Sequence, residues 1–268
     1  MEPPSWTSEY VDMEHPSIAR VYDYYLGGSH NFAVDRRMAR QAIELWPELP
    51  VIMQANRAFL RRAVRYLVKA GITQFLDIGS GIPTQGNVHE IAQAAAPETR
   101  VVYVDIDPVA VAHSRTVLSG NPLADVVQAD LRDVTAILDD PRTKRLLDPT
   151  EPIGVLMVAI LHFVPDDDDP AGIVAQYHKM TAPGSYLAVS HASHVGRPDQ
   201  VGPLSALYRQ TAAPLTMRSR LEIEGLLGGF ELVAPGVGFL PLWHPDSLRD
   251  VDDHSERFSG YAAIGRRG

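Results

Sequence analysis

The chain has 268 residues, a formal net charge of −9 and no cysteine. The lack of cysteine excludes disulfides, thiolate catalysis and cysteine-ligated zinc, and the negative charge argues against non-specific nucleic-acid binding, which needs a positive field. No apolar run is long enough to span a bilayer and no signal-peptide pattern is present, so we expect a cytoplasmic protein without a membrane partner.

Three helices are predicted before the first strand. The first begins near Ser17, a candidate N-cap, and stops at Gly27-Gly28. The second runs from about Asp35 to Leu45 and the third from about Val51 to Ala70. We therefore expect residues 1–70 to form a helical extension.

Apolar runs alternate with helix-length patterns over residues 71–268. The runs predict strands near 75–78, 101–106, 126–127, 155–161, 186–190, 230 and 261–264. Strands separated by helices are typical of a parallel sheet in an α/β protein. Residues 195–229 break this rhythm, because 195–218 are rich in glycine, proline and polar residues. We interpret them as a lid or substrate-shaping insertion.

A glycine-rich turn joins the first strand to the following helix. At such a junction backbone N–H groups come close to a ligand. The turn departs from the dinucleotide fingerprint, because Pro83-Thr84 stands where a small residue allows close packing. With Asp77 two residues before Gly79-Ser80-Gly81, the turn instead resembles motif I of the Rossmann-like S-adenosylmethionine (SAM) methyltransferases.

Further stretches extend this resemblance over nearly the whole chain. They are Arg20–Tyr24 leading to Gly27-Gly28 and Asn31-Phe32, Asn56–Val64, Phe75–Val88, and Ile160–Asp166. Together they resemble a bacterial family of SAM-dependent methyltransferases formerly catalogued as a domain of unknown function. Relatives often carry Lys-Asp where this chain has Ser29-His30, so no role of that pair is carried over.

The resemblance implies a fold and a cofactor but no methyl acceptor. The implied fold is a Rossmann-like, seven-stranded, mostly parallel sheet with an antiparallel last strand and helices on both faces. The N-terminal helices would cap the cofactor cleft, and the cofactor would be SAM.

Acidic residues end two of the predicted strands, where ligands of open α/β sheets bind. A carboxylate at Asp105 can accept both ribose hydroxyls of an adenosine, and its neighbour Ile106 is included with the cofactor-binding residues. Capping is the alternative for Asp105, although Asp107 is the better cap. In similar methyltransferases the position of Asp130 accepts the adenine amino group and the next N–H, here of Leu131, meets a ring nitrogen. A solvated loop carboxylate is the alternative for Asp130.

The methionine part of the cofactor is expected above Gly79, Ser80 and Gly81, where any Cβ would collide. Asp77 would orient this loop or meet the ammonium group through water. The methionine carboxylate needs a donor, for which the N-terminal helices offer several candidates: Arg57, Tyr22, Tyr24 and Asn31. Ordinary packing, or a solvated helix face for Arg57, is the alternative for these residues.

Two histidines are candidates for a catalytic base. His162 follows the fourth predicted strand and His191 follows the fifth. A base is needed only if the acceptor must lose a proton, and a hydrogen-bonded wall residue, the commoner role for a histidine at a strand end, is the alternative. We predict no metal site, because neither His191 with His194 nor the aspartate run at 166–169 completes a ligand set.

These features predict a SAM-dependent methyltransferase acting on a small-molecule acceptor, with no nucleic-acid partner. A non-catalytic SAM-binding regulatory protein is one alternative. An NAD-linked oxidoreductase is another, disfavoured by Pro83 and Thr84 and by the lack of a second catalytic domain.

Overall fold

One mixed sheet forms the centre of the fold in a computed structural model that describes residues 11–84, 86–247, 251 and 254–268. Its strands are β1 (Gln74–Ile78), β2 (Arg100–Asp105), β3 (Ala124–Gln128), β4 (Gly154–Val158), β5 (Tyr186–Ala192), β6 (Phe230–Leu232), β7 (Gly238–Phe239) and β8 (Gly260–Arg267). They lie in the order β3-β2-β1-β4-β5-β8-β6, and β7 pairs with β8. Strands β1 to β5 pair in parallel, whereas β8 runs antiparallel to β5.

The predicted α/β architecture with a reversed last strand is confirmed, and within the described residues a short eighth strand joins the seven predicted ones. The additional strand is β7, which has two residues and no continuous apolar run to reveal it. The fourth strand is shorter than predicted. It ends at Val158, and Leu161–Phe163 forms a turn of 3₁₀ helix instead.

The helices flank the sheet on both faces. They are α1 (Ile18–Tyr25), α2 (Ala33–Leu45), α3 (Leu49–Lys69), α4 (Val88–Ala95), α5 (Pro108–Val117), α6 (Val134–Asp139), α7 (Pro141–Leu146), α8 (Pro170–Met180), α9 (Pro198–Tyr208) and α10 (Arg220–Leu226). None of the helices in the described ranges combines the length and the apolar character that a membrane crossing needs.

Alternate residues of the buried strands face different helical layers. Phe75 and Val101 belong to the apolar cluster that includes α2 and α3, whereas Leu76 and Val102 belong to the cluster of α6, α8 and α10. Successive side chains of a strand point to opposite faces, so each strand contributes to both clusters. Strands buried on both faces have continuous apolar sequences, and these apolar runs allowed the strands to be located.

The predicted caps are confirmed at three helices. Asp107 accepts N–H groups at the start of α5, Asp169 does so at α8, and Ser219 forms a capping box at α10. Ser17 occupies the N-cap position of α1, but its hydroxyl donates to the Asp107 carboxylate instead of capping the helix. This hydrogen bond ties the start of α1 to the end of β2.

A buried ion pair holds the N-terminal helices together. The Arg20 guanidinium lies 3.1 Å from the Asp35 carboxylate, and the two side chains are 3% and 0% exposed. Asp35 also accepts the backbone N–H groups of Ser17 and Phe32. The first ten residues of the predicted extension lie outside the described residues, and its division from residues 71–268 stays a prediction.

Removing Arg20 should destabilise the fold strongly. Arg20→Met leaves the Asp35 carboxylate buried without its ion-pair partner, and we expect a loss of about 3–5 kcal/mol in the free energy of unfolding. The matched control is Arg65→Met, whose partner Asp246 is 61% exposed; that change should cost under about 1 kcal/mol. Urea denaturation of both variants measures the difference. Equal losses in the free energy of unfolding would show that the buried ion pair contributes no more than the exposed one.

Candidate functional site

A cleft of about 480 Å³ lies at the carboxyl ends of β1 to β4. Its floor consists of the residues that follow these strands: Gly79–Gly81, 104–108, 129–132 and 158–160. The segment from Asp12 to Arg20 and the α3 residues Asn56, Arg57 and Leu60 form the opposite wall. The cleft therefore lies between β1 and its neighbours β2 and β4, the point where the strand order reverses and open α/β sheets bind ligands.

The glycine turn after β1 is bonded to the end of β2. The N–H groups of Gly79 and Ser80 donate to the Val104 carbonyl at 2.8 and 3.1 Å. The N–H of Gly81 donates to the Asp105 carboxylate at 2.7 Å. A diphosphate site at such a turn needs these N–H groups for the ligand. Their use within the protein argues against the NAD-linked alternative.

The two glycines are required for different reasons. Both have positive φ, +70° at Gly79 and +67° at Gly81, which L-residues with a side chain rarely adopt. A Cβ at Gly79 would also lie 2.6 Å from the Ile160 side chain, whereas a Cβ at Gly81 would meet no atom within 4 Å. A side chain at position 79 would therefore collide with Ile160 of the protein itself. At position 81 glycine is required only for the backbone conformation.

Two buried carboxyls lie at the ends of β1 and β2. Burial raises the pKa of Asp77 to about 7, with Arg57 lowering it and the neighbouring Asp105 raising it further. Burial also raises the pKa of Asp105 to about 6, opposed by hydrogen bonds from the N–H groups of Asp107 and Gly81. Both carboxyls thus favour a cationic ligand that would stabilise their ionised forms.

The third strand delivers Asp130 and Leu131 to the cleft, as predicted. The guanidinium of Arg132 contacts Asp130 at 2.9 Å and Asp168 at 2.8 Å. Hydrogen bonds from Arg132 lower the pKa of Asp130, so its carboxylate is ionised and fixed in position. Ile106 is 62% exposed although it is large and apolar, and it lines the cleft. It therefore offers an apolar surface beside two carboxylates.

The N-terminal helices bring two of the four predicted donors to the cleft. Arg57 lines it and donates to the Gly86 carbonyl at 3.0 Å. Tyr22 also lines it. Tyr24 does not, because it packs against the apolar cluster of α2 and α3. Asn31 does not either: it is buried, and its amide donates to Asp23 at 2.7 Å.

A smaller chamber of about 80 Å³ adjoins the cleft. The residues that line both cavities are Ile18, Tyr22, Asn56, Ala159 and Phe163. His162 and His191 line the chamber and not the cleft. The two candidate bases therefore lie on the far side of this junction from the glycine turn.

Neither histidine has a free lone pair. His162 Nδ1 accepts the N–H of Ala192 at 3.2 Å, which places the proton on Nε2. His191 Nε2 accepts from Arg218 at 2.9 Å, and its Nδ1 donates to the Ala192 carbonyl. Burial lowers the pKa of His162 well below its usual value and that of His191 to about 4. Both are neutral, and the arrangement fits wall residues rather than general bases.

Two polar residues that organise this region were not predicted from the sequence. Asn56 accepts from the Ser190 hydroxyl at 2.5 Å and donates to the Tyr22 hydroxyl at 2.9 Å. Buried Arg218 donates to the Leu161 and Val164 carbonyls, besides His191. Asn56 lies in a stretch that carries the family resemblance, and that stretch could have identified it. Arg218 lies in the irregular segment 195–229, where no sequence pattern points to it.

Comparison with known proteins identifies the family. A family model described as S-adenosyl methyltransferase matches residues 4–268. The chain belongs to this family. It is a SAM-dependent methyltransferase, and the predicted family and cofactor are confirmed.

Two crystal structures resemble this methyltransferase closely. A protein of Thermobifida fusca YX with a provisional methyltransferase assignment is 40% identical, covering 98% of this chain and 99% of that chain with a TM-score of 0.91. A DUF574 family protein from Streptomyces avermitilis MA-4680 is 41% identical, covering 96% of this chain and 99% of that chain with a TM-score of 0.92. No protein of curated function matches the chain.

Burial of Asp77 should make the stability of the ligand-free methyltransferase depend on pH. As pH rises from about 4 to about 7, the unfolded chain ionises this carboxyl first, so the free energy of unfolding falls across that window. Asp77→Asn removes this loss. We expect a higher melting temperature than the wild type at about pH 8, and little difference at about pH 4.

Thermal unfolding at both pH values tests this expectation. The control is Asp139→Asn, which removes a 63% exposed carboxylate on α6 and should change neither value appreciably. Equal stabilisation by Asp77→Asn at both pH values would show that ionisation of Asp77 is not the cause.

Proposed function

We propose that this methyltransferase binds SAM in the cleft at the strand ends and transfers the methyl group to a small molecule that extends into the adjoining chamber. Asp105 would hold the ribose hydroxyls. The methionine part would lie over Gly79–Gly81, with its ammonium group near Asp77 and its carboxylate near Arg57. The adenine would lie against Ile106 and meet Asp130-Leu131.

The chemistry of these residues fits the cofactor. SAM carries a sulfonium and an ammonium group, and both are attracted by ionised carboxylates such as those of Asp77 and Asp105. Arg57 is the cation suited to the single carboxylate of the ligand. Exposed Ile106 provides apolar surface for an adenine face. A cleft with this distribution of charge matches SAM from end to end.

The activated donor determines what the protein has to supply. When bound, SAM provides a methyl group whose transfer is a displacement at carbon, so much of the acceleration comes from alignment and removal of water. Tyr22, Asn56 and Ala159 lie where the cleft meets the chamber. They are positioned to align an acceptor with the cofactor.

The observation that carries the proposal is the apolar chamber beside the cleft. Its walls come from α1, α3, α9 and the end of β5, and they are mostly apolar. A chamber of about 80 Å³ admits part of a small molecule. The net charge of −9 further disfavours a nucleic-acid acceptor.

Loss of the Asp105 carboxylate should weaken cofactor binding. In calorimetric titrations of the full chain, Asp105→Asn should bind SAM and S-adenosylhomocysteine at least about tenfold more weakly than the wild type, because one charge-assisted acceptor is lost. Asp139→Asn on the surface should bind both normally, and NAD should bind neither variant. Unchanged affinity in Asp105→Asn would remove this residue from the proposed site.

His162→Ala should retain SAM binding, because His162 lines the chamber rather than the cleft. We expect affinity within about threefold of the wild type, a difference under about 0.7 kcal/mol. Complete loss of SAM binding in a variant that still melts cooperatively would make His162 a cofactor ligand instead of a chamber wall.

A further inference from the structure

We propose that the methyl acceptor is a neutral nitrogen on an apolar molecule, whose short aliphatic branch occupies the chamber. This inference rests on the proposed function of the cleft and chamber. It assigns the reaction as N-methylation without a protein base.

Among the described residues at the junction of the two cavities, none is suited to take a proton from the acceptor. Among its residues only Tyr22 ionises, and burial raises the pKa of that phenol. The Tyr22 hydroxyl accepts from Asn56 and donates to the Met53 carbonyl at 3.4 Å. Carboxylates and imidazoles do not occur among the five described residues shared by cleft and chamber. The acceptor must therefore be nucleophilic without first losing a proton to the protein.

The charges of the cleft disfavour an anionic nucleophile. Its lining includes six aspartates and three arginines: Asp12, Asp77, Asp105, Asp107, Asp130, Asp168, Arg20, Arg57 and Arg132. Arg20 is paired with Asp35, and Arg132 with Asp130 and Asp168. A thiolate or phenolate would be repelled by this excess of carboxylates. A neutral nitrogen is not repelled, and it becomes cationic after methylation.

The chamber fits a small uncharged group. Its volume of about 80 Å³ is well below the roughly 150 Å³ of a cavity that holds benzene, so the chamber suits a short branch better than a complete ring. Trp46, Leu204 and Leu215 are among its apolar walls. The single proton of the neutral His162 ring is on Nε2, as its Nδ1 contact requires.

The transfer then balances without a further reactant. The nitrogen lone pair forms the bond to the methyl carbon as the bond from that carbon to sulfur breaks, and its electrons remain on sulfur. The sulfonium becomes a neutral thioether while the nitrogen becomes a methylated ammonium. An N–H proton then leaves to solvent after the product departs, so the protein takes no proton during the step.

Three acceptors that differ only in the reacting atom test the proposal: para-isobutylaniline, para-isobutylphenol and para-isobutylthiophenol. Release of S-adenosylhomocysteine and formation of methylated product are measured with the full chain and SAM. We expect the aniline to react at least about tenfold faster than the other two, a difference of about 1.4 kcal/mol in the barrier. An aniline with a para-carboxymethyl branch should react at least about tenfold more slowly, since the described residues that line the chamber include no lysine or arginine to pair with a carboxylate.

A histidine variant and a SAM-binding measurement separate failure of this proposal from failure of the proposed function. His162→Asn should keep the preference for the aniline and the pH profile of kcat/KM, because no protein base is involved. Faster reaction of the phenol or thiophenol, a pH profile that changes in His162→Asn, or no reaction of the aniline while calorimetry shows SAM bound would each overturn the proposal. Failure to bind SAM would instead overturn the proposed function of the cleft.

Discussion

The site depends on the bonding of the glycine turn to the end of β2. The Val104 carbonyl and the Asp105 carboxylate accept the three consecutive N–H groups of Gly79–Gly81. Because the two strands are adjacent and parallel, this bonding fixes the turn against the carboxylate that ends β2. One carboxylate therefore organises the turn and stays in the cleft as an acceptor. A buried carboxyl is costly unless it is hydrogen-bonded, and the N–H groups of Gly81 and Asp107 meet that requirement for Asp105 before any ligand binds.

The N-terminal helices complete the site because their polar residues are bonded to the sheet. Ser17 reaches Asp107 beyond the end of β2, and Asn56 of α3 accepts from Ser190 of β5. These bonds hold α1 and α3 against the sheet, where residues of both helices line the cleft. The helices and the sheet also share one apolar cluster, so the wall over the cleft is held by burial as well as by hydrogen bonds.

Sequence patterns located the parts of the site that follow strand ends. Asp77, Asp105 and Asp130 could be placed because buried parallel strands read as apolar runs and ligands bind at their carboxyl ends. The face of α1 that meets the cleft could not be predicted. An apolar stripe marks the buried face of a helix but does not show whether a cavity or a core lies against it. Tyr24 is an example, because the structure places it against the apolar cluster of α2 and α3 and not in the cleft. The state of His191 depends on Arg218, a partner with no local signal in the sequence.

Strain is located at the point where the two cavities meet. Ala159 has φ of +59°, a conformation that is costly for a residue with a Cβ and that persists only when the surroundings determine it. Its N–H donates to both the carbonyl and the hydroxyl oxygen of Ser190, and that hydroxyl donates to Asn56. Asn56 in turn bonds Tyr22. Ser190 of β5 thus holds the strained Ala159, and Asn56 of α3 holds Ser190. The docking of the N-terminal helices therefore sets the geometry at which cofactor and acceptor would meet.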